Sequence, residues 1–450
     1  MNDYKKILKG KLNEEIVKEI HSILEEPDWV LDYRLKGLEY FRKLENPSWG
    51  PDLSEINFEE IKYFGSPIMY SKPIKWEDLP EFIRETYRKL GLNKEYLEKY
   101  FGGTLFQFDS SPVFKKIKEY LESLGVIFMS MSEAVREYPE IVRKYFSKIV
   151  SYSENKYAAL NTAVWSGGVF IYVPKNTKID IPLHAYFRIN LEGIGQFERT
   201  LIVAEENSSL TYVEGCSAPI YSTASLHAAV VEVYLHRNAS VNYITLQNWS
   251  KNVYNLPTKR AYVEDMGKMK WISIELGSKV TMLYPSMILN NNSSGEIYSF
   301  SLAKENQVFD SGGKVYFFGK NSRAIINSVG ICLNENSKVV HRIDVHAHKG
   351  SKNSSVFSNC KSLLFSGKTE SYPRFIVEEE DFYYNNESKT EYMDEERIFY
   401  LESKGIERNR AIKLAILGYF EDISNSLPDL YKLEIKRAID IDLEKYGGIG

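Results

Sequence analysis

Asn176-Thr177-Lys178-Ile179 returns as Asn207-Ser208-Ser209-Leu210 and again as Asn238-Ala239-Ser240-Val241, at spacings of 31 and 31 residues. A second set, Asn321-Ser322-Arg323-Ala324, Asn336-Ser337-Lys338-Val339 and Asn353-Ser354-Ser355-Val356, follows at spacings of 15 and 17. A polar corner that recurs at near-constant spacing, each time running into a strand, is what a β-solenoid requires, because every coil stacks on the last and meets the same corner again. The segments between corners are rich in β-branched and aromatic residues, as in Val169-Phe170-Ile171-Tyr172-Val173 and Val315-Tyr316-Phe317-Phe318, and read as strands. No convincing amphipathic helix interrupts the stretch from about Asn161 to Ile376, which disfavours βαβ folds. The expectation is a mainly β solenoid, with a sandwich as the competing arrangement of the same strands.

Outward from this core the period changes. Apolar residues recur at helical spacing in Ile16, Ile20, Ile23 and Leu24 and in Phe114, Ile117, Tyr120 and Leu121, so residues 1–150 read as mostly helical. Two prolines in Asn46-Pro47-Ser48-Trp49-Gly50-Pro51 exclude regular helix there. After a core spanning 151–385, the helical period resumes in 386–450. Asp394-Glu395-Glu396 is an acidic helix start, Gly405 suits a left-handed stop, and two further helices are expected over Arg408 to about Ser424 and Pro428 to about Lys445. Their apolar faces either cap the solenoid or meet a partner.

With 57 Lys+Arg against 61 Asp+Glu in 450 residues, the chain carries no basic footprint for nucleic acid. No apolar run approaches the ~20 residues that cross a bilayer, and the first ten residues lack a signal-peptide core, so a soluble, cytoplasmic protein is expected, or a stromal one if plastid-encoded. Three cysteines with no paired spacing exclude a disulfide framework and a four-cysteine zinc site.

Candidate chemistry therefore rests on single side chains. Cys216, in Glu214-Gly215-Cys216-Ser217-Ala218-Pro219, lies at a strand end beside a turn, more accessible than a mid-strand thiol. Cys332 has apolar neighbours and reads as core. Cys360 has polar neighbours, and the adjacent Lys361 can favour its thiolate. His346 and His348, two apart, share one strand face. Such a pair can hold a divalent metal, but without a third ligand in the sequence it reads as a solvated face. No phosphate loop, nucleophile elbow, zinc-protease motif or ordered carboxylate pair occurs, so the chain reads as a scaffold and not an enzyme.

Several segments together resemble the SufB/SufD family, and within it the SufB scaffolds of the SUF iron-sulfur cluster assembly machinery. They include Tyr157-Ala158-Ala159-Leu160-Asn161-Thr162-Ala163-Val164-Trp165-Ser166-Gly167-Gly168, Gln196-Phe197-Glu198-Arg199-Thr200 and the Glu214-to-Pro219 turn. Gln247-Asn248-Trp249-Ser250, Asn255-Leu256-Pro257-Thr258-Lys259-Arg260 and Gly277-Ser278-Lys279-Val280-Thr281 continue the match. The resemblance thins after about Asn290. It implies a right-handed parallel β-helix flanked by helical regions, and a division of labour between cysteines. Cys216 would accept persulfide sulfur from a cysteine desulfurase and its relay protein. Arg188, Asn190, Gln247, Trp249 and Lys259 would line a polar path, and Cys360 with Glu387 would hold a transient, four-iron cluster. Implied partners are a SufC-type ABC ATPase, docked by the C-terminal helices, and either a SufD-type subunit or a second copy of the chain. A flavin, carried by some family complexes, has no support in this sequence. The alternative is a SufD-like paralogue that docks the ATPase without holding a cluster. Three departures bear on this choice: Lys361 where the family has Asp, Asn386 where it has His, and Gln307-Val308-Phe309-Asp310 where it tends to have Gln-His-Gln-Asp.

Overall fold

Asn176, Asn207 and Asn238 stand at one corner of successive coils with φ of 60°, 59° and 57°, in the left-handed region that Asn tolerates better than other side chains. Each amide donates to the one before it, Asn207 Nδ2 to Asn176 Oδ1 at 2.9 Å and Asn238 Nδ2 to Asn207 Oδ1 at 2.8 Å. The corner continues through Met266, Asn292, Asn321 and Asn353, all at positive φ, and the ladder resumes from Asn321 to Asn292 at 3.1 Å and from Asn353 to Asn321 at 2.8 Å. Asn336 belongs to a different edge. It lies between strands Arg323–Cys332 and Lys338–Ala347, which sit in opposite sheets, so the spacings of 15 and 17 are half-coils.

The fold, seen in a computed structural model, is a parallel β-solenoid of about eight turns over 170–392, with helices towards both termini. The described residues are 4–66, 75–79, 81–89, 94–219, 223–393 and 395–427, with residues 432, 435, 436, 439 and 440. One wall stacks the strands Leu183–Arg188, Ser209–Ser217, Ser240–Asn248, Lys268–Glu275, Ser294–Ala303, Arg323–Cys332, Ser354–Leu364 and Phe382–Tyr392, each parallel to the next. The opposite wall runs from Val169–Val173 to Lys368–Val377. The solenoid therefore passes Ile376. Its last strand, Phe382–Tyr392, escapes a reading from alternation because it is an outermost strand with little buried.

Antiparallel strands close the first coils, Ser111–Ile117 on one wall and Ile127–Ser130 on the other, so Phe114 and Ile117, read from their spacing as helical, lie in a strand, and only Tyr120 and Leu121 lie in the short helix Glu119–Ser123. At the far end, among the described residues, Lys368–Val377 and Phe382–Tyr392 each have a partner on one side only. The helix Lys156–Val164 is buried along almost its whole length, which removes the amphipathic stripe that would announce it. It packs on the helix Asp28–Lys43, where a side chain at Gly37 would lie 2.7 Å from the backbone nitrogen of Ala163.

The C-terminal helices Glu395–Ser403 and Arg408–Ser424 do not cap the solenoid end. The second packs on the outer face of the first wall, with Phe420 edge-on to Phe300 at 5.2 Å and Ile416 and Ile423 buried beside Val329 and Ile331. Asp394 and most of the helix expected from Pro428 lie outside the described residues. Among the described residues, no helix is long and apolar enough to cross a membrane.

Candidate functional site

Alternation along Ser209–Ser217 turns Tyr212, Glu214 and Cys216 inward and Val213 and Gly215 outward. The sequence placed Cys216 at an accessible turn. Instead its side chain is 1% exposed, because Phe187 and Gln247 stand in register on the strands either side of it.

The thiol sits in a closed polar network. Gln247 Nε2 donates to Cys216 Sγ at 3.3 Å, and the thiol can donate to Glu214 Oε1 at 3.9 Å. Glu214 also accepts from Tyr243 OH at 2.5 Å, from Thr245 Oγ1 at 3.2 Å and from Lys259 Nζ at 3.1 Å. Lys259 comes from the opposite wall, on Thr258–Val263, so this buried ion pair spans the interior. Trp249 Nε1 donates to Gln247 Oε1 at 2.7 Å, and its ring lies 4.6 Å from that of His227. From there the network continues through His227 to Glu198 at 2.5 Å and Asn255 at 2.6 Å, and from Asn255 to Glu275 at 3.3 Å.

Burial is the largest single influence on Cys216, Glu214 and Glu275, and only at Glu214 do its neighbours outweigh it. It pushes the Cys216 thiol up, and the carboxylates of Glu214 and Glu198 push it further, against the opposing pull of Lys259 and Gln247. Burial would also raise Glu214, but the charge of Lys259 and the hydrogen bonds from Tyr243 and Lys259 hold it below the usual carboxylate range. Glu275, with weaker compensation, is raised to about 8 by burial and the charge of Glu214. The site thus pairs one carboxylate whose titration is pulled down with one whose titration is pushed up to about 8.

Register extends the site along the solenoid. Glu214, Thr245, Ser273, Ser299, Ser328 and Cys360 are successive in-register neighbours on the first wall. Beside them run Cys216, Gln247, Glu275, Ser301, Gly330 and Ser362. Apart from Gly330, which has no side chain and leaves its place beside His341, these side chains are buried; a hydroxyl contact links Ser299 to Ser328 at 2.8 Å along the column, and Ser301 reaches Ser311 on the opposite wall at 3.0 Å. His341 bridges Ser328 at 2.7 Å and Ser362 at 2.9 Å. Two polar columns therefore join the coil of Cys216 to the coil of Cys360. At about 4.8 Å per strand, the five steps span roughly 24 Å.

The structure brings Cys216, Gln247, Trp249 and Lys259 together. Arg188 is not in the columns. It is in register with Ser217 and donates to its hydroxyl at 2.7 Å, on the face opposite Cys216. The backbone of Asn190 donates to Asp109 Oδ1 at 2.7 Å. Cys360 faces inward, but Lys361 points out and pairs with Asp422 at 2.6 Å, so it does not favour the thiolate; burial pushes Cys360 up to about 11. Glu387 is in register with Asn359, not Cys360, and so lies exposed on the outer face while Cys360 faces the interior. Asn386 shares the inward face and accepts from Ser358 Oγ at 2.8 Å. Cys332 packs with Phe309, Val339 and Leu364 in an apolar cluster.

Sequence reasoning did not single out Tyr243, Thr245, His227, Glu198, Asn255, Glu275 or the column serines. One signal was available: Thr245 and Gln247, or Ser273 and Glu275, are polar at the inward parity of strands whose other inward positions are apolar.

Residues 187–419 match the family described as SUF system FeS cluster assembly, SufBD core domain, and residues 109–185 match the SufBD protein N-terminal region. Similar relatives include an iron-sulfur cluster assembly SufBD family protein of Staphylococcus haemolyticus, 43% identical over 98% of this chain and 94% of the relative. Proteins of the same description from Staphylococcus epidermidis and Staphylococcus aureus match at the same identity and coverage.

Proposed function

The chain belongs to the SufBD family of iron-sulfur cluster assembly proteins, and on that premise we propose that it is a scaffold that accepts sulfur at Cys216 and builds a transient cluster near Cys360. The observation that carries this reading is the pair of buried polar columns joining the two cysteines. Sulfur arrives by exchange: the Cys216 thiol passes its proton to the Glu214 carboxylate and attacks the outer sulfur of a donor persulfide, the donor S–S bond breaks, and the donor leaves as a thiolate. Lys259 offsets the negative charge this creates in a buried site, and Gln247 donates to the sulfur. Cys216 and Cys360 are too far apart for direct exchange, so sulfur crosses the interior as a small anion past hydroxyl and amide donors. Release as sulfide takes two electrons from a thiol reductant.

The cluster is cargo, of the four-iron type, and a single inward thiol cannot hold it tightly. Partners supply the rest. Among the described residues, the outermost strands Lys368–Val377 and Phe382–Tyr392 leave one edge each unpaired, a surface suited to a SufD-type subunit or a second copy of the chain. The C-terminal helices present exposed Phe399, Tyr400 and Leu414 beside a groove of about 640 Å³, suited to docking the SufC-type ATPase.

One observation favours the second reading, a SufD-like subunit that holds no cluster: Cys360 and Glu387 face opposite sides of their sheet. Anaerobic reconstitution with iron and sulfide separates the two. The scaffold reading expects the charge-transfer absorption of a cluster, lost in Cys360→Ala. No absorption in the complete complex, or absorption unchanged in Cys360→Ala, would contradict it.

A further inference from the structure

His346 and His348 have a third potential ligand that their local sequence does not reveal. Phe318, His348 and Glu378 occupy the same place on three successive coils, since the backbone N–H of His348 donates to Phe317 O at 3.0 Å and that of Glu378 to Ala347 O at 2.8 Å. The Glu378 carboxylate thereby meets both imidazoles, Oε1 at 3.3 Å from His346 Nε2 and Oε2 at 3.4 Å from His348 Nδ1. All three ligand atoms lie within 4.8 Å of one another.

These distances fit a shared cation better than direct contacts. A charge-assisted N–H···O bond is usually about 2.7–2.9 Å. Two ligands each about 2.1 Å from a tetrahedral metal stand about 3.4 Å apart. The His346 Nε2 atom is shielded from solvent and lacks a well-formed hydrogen bond, which is costly unless something else occupies its lone pair. The rings are held in place: His348 stacks on Phe318 at 4.1 Å, and His346 lies against His348 at 3.7 Å. Such packing reduces the entropy cost of assembling ligands. Two imidazoles and one carboxylate match a borderline first-row dication such as zinc or iron(II). Calcium and magnesium prefer all-oxygen shells, and copper(I) prefers sulfur.

We propose that His346, His348 and Glu378 form a binding site for one divalent first-row transition-metal ion, which ties the last coil of the solenoid to the coil before it. Glu378 directly follows the outermost strand Lys368–Val377, which among the described residues pairs on one side only, so the metal anchors an end coil of the solenoid. The site stands on the outer face, whereas Cys216 and Cys360 face the interior, and it does not depend on the cluster-assembly reading.

Cobalt(II) titration of the tag-free full chain under anaerobic conditions tests this. One equivalent should bind with visible d–d absorption and without sulfur-to-cobalt charge transfer, and Cys360→Ala should leave the titration unchanged. His346→Gln with His348→Gln should weaken binding at least about tenfold. Zinc should raise the urea midpoint of the natural chain but not that of Glu378→Gln, a surface change that leaves folding intact. Absence of binding by the natural chain, unchanged affinity in the double variant, or a thiolate charge-transfer band lost in Cys360→Ala would each overturn the proposal.

Discussion

Glu214 and Cys360 stand in one inward-facing column, five in-register steps apart on a single wall of the solenoid. Cys216 lies two residues from Glu214, so the coil proposed to accept sulfur and the coil proposed to hold the cluster share a continuous polar lining. The apolar half of the same interior, with Tyr243, Trp271, Ile297, Ile326 and Val356, supplies the stacking that keeps the columns in register.

Incubation with a cysteine desulfurase, its relay protein and cysteine should leave a persulfide on Cys216, seen by mass spectrometry as an added sulfur on that peptide. Cys216→Ser should abolish it and Cys332→Ser should not. Modification confined to Cys332 or Cys360 would count against the assignment.

Ser328→Val should interrupt the column without touching either cysteine. It removes a hydroxyl partner of both Ser299 and His341, at a cost of about 1–3 kcal/mol for buried groups left unsatisfied. Persulfide on Cys216 should be unchanged while cluster formation in the complex falls several-fold. Equal rates in the variant and the natural chain would exclude transfer along this column.

Glu275→Gln tests the buried acid through the pH dependence of stability. The folded-state value is raised to about 8, so between the ordinary carboxylate value and pH 8 the folded chain binds the extra proton and stability falls as pH rises. The amide mimics the protonated form and removes this dependence. Urea unfolding should show the variant gaining on the natural chain by a few kcal/mol from pH 5 to pH 8; parallel curves would show that Glu275 is ionised throughout.

Met266→Asn should stabilise the solenoid. Met266 sits at φ 60° between Asn238 and Asn292, at the gap in the asparagine ladder, where a non-Gly, non-Asn residue is strained. An asparagine relieves that strain and adds two amide contacts, worth about 1 kcal/mol in total. The melting temperature should rise by a degree or more, and Asn207→Ala should lower it.

Phe399→Glu with Leu414→Glu should abolish capture of the SufC-type ATPase while leaving the melting temperature within a degree. These side chains are exposed, whereas deleting the helices would uncover the outer face of the first wall around Phe300 and Ile331. Undiminished capture by the double variant would move the ATPase surface elsewhere.

The sequence by itself determined the coil. A left-handed corner is a local property of one residue, so Asn176, Asn207 and Asn238 marked it with no knowledge of what they pack against, and their constant spacing implied stacking. Gln247, Trp249 and Lys259 are named only through the resemblance to the family, and Cys216 through that resemblance and its strand-end turn; it is the structure that gathers the four side chains around one buried carboxylate, Glu214. Only the tertiary structure decided the faces and the neighbours. In a strand a shift of one residue reverses a side chain, and it is the pairing of Asn359 with Glu387 that puts Glu387 outside and leaves Cys360 within. Register likewise aligned the serines into columns and brought Glu378 to His346 and His348 across roughly thirty residues of chain. Such groupings come from the rise of one coil over another, a distance set by backbone hydrogen bonds between strands and written in no single stretch of sequence.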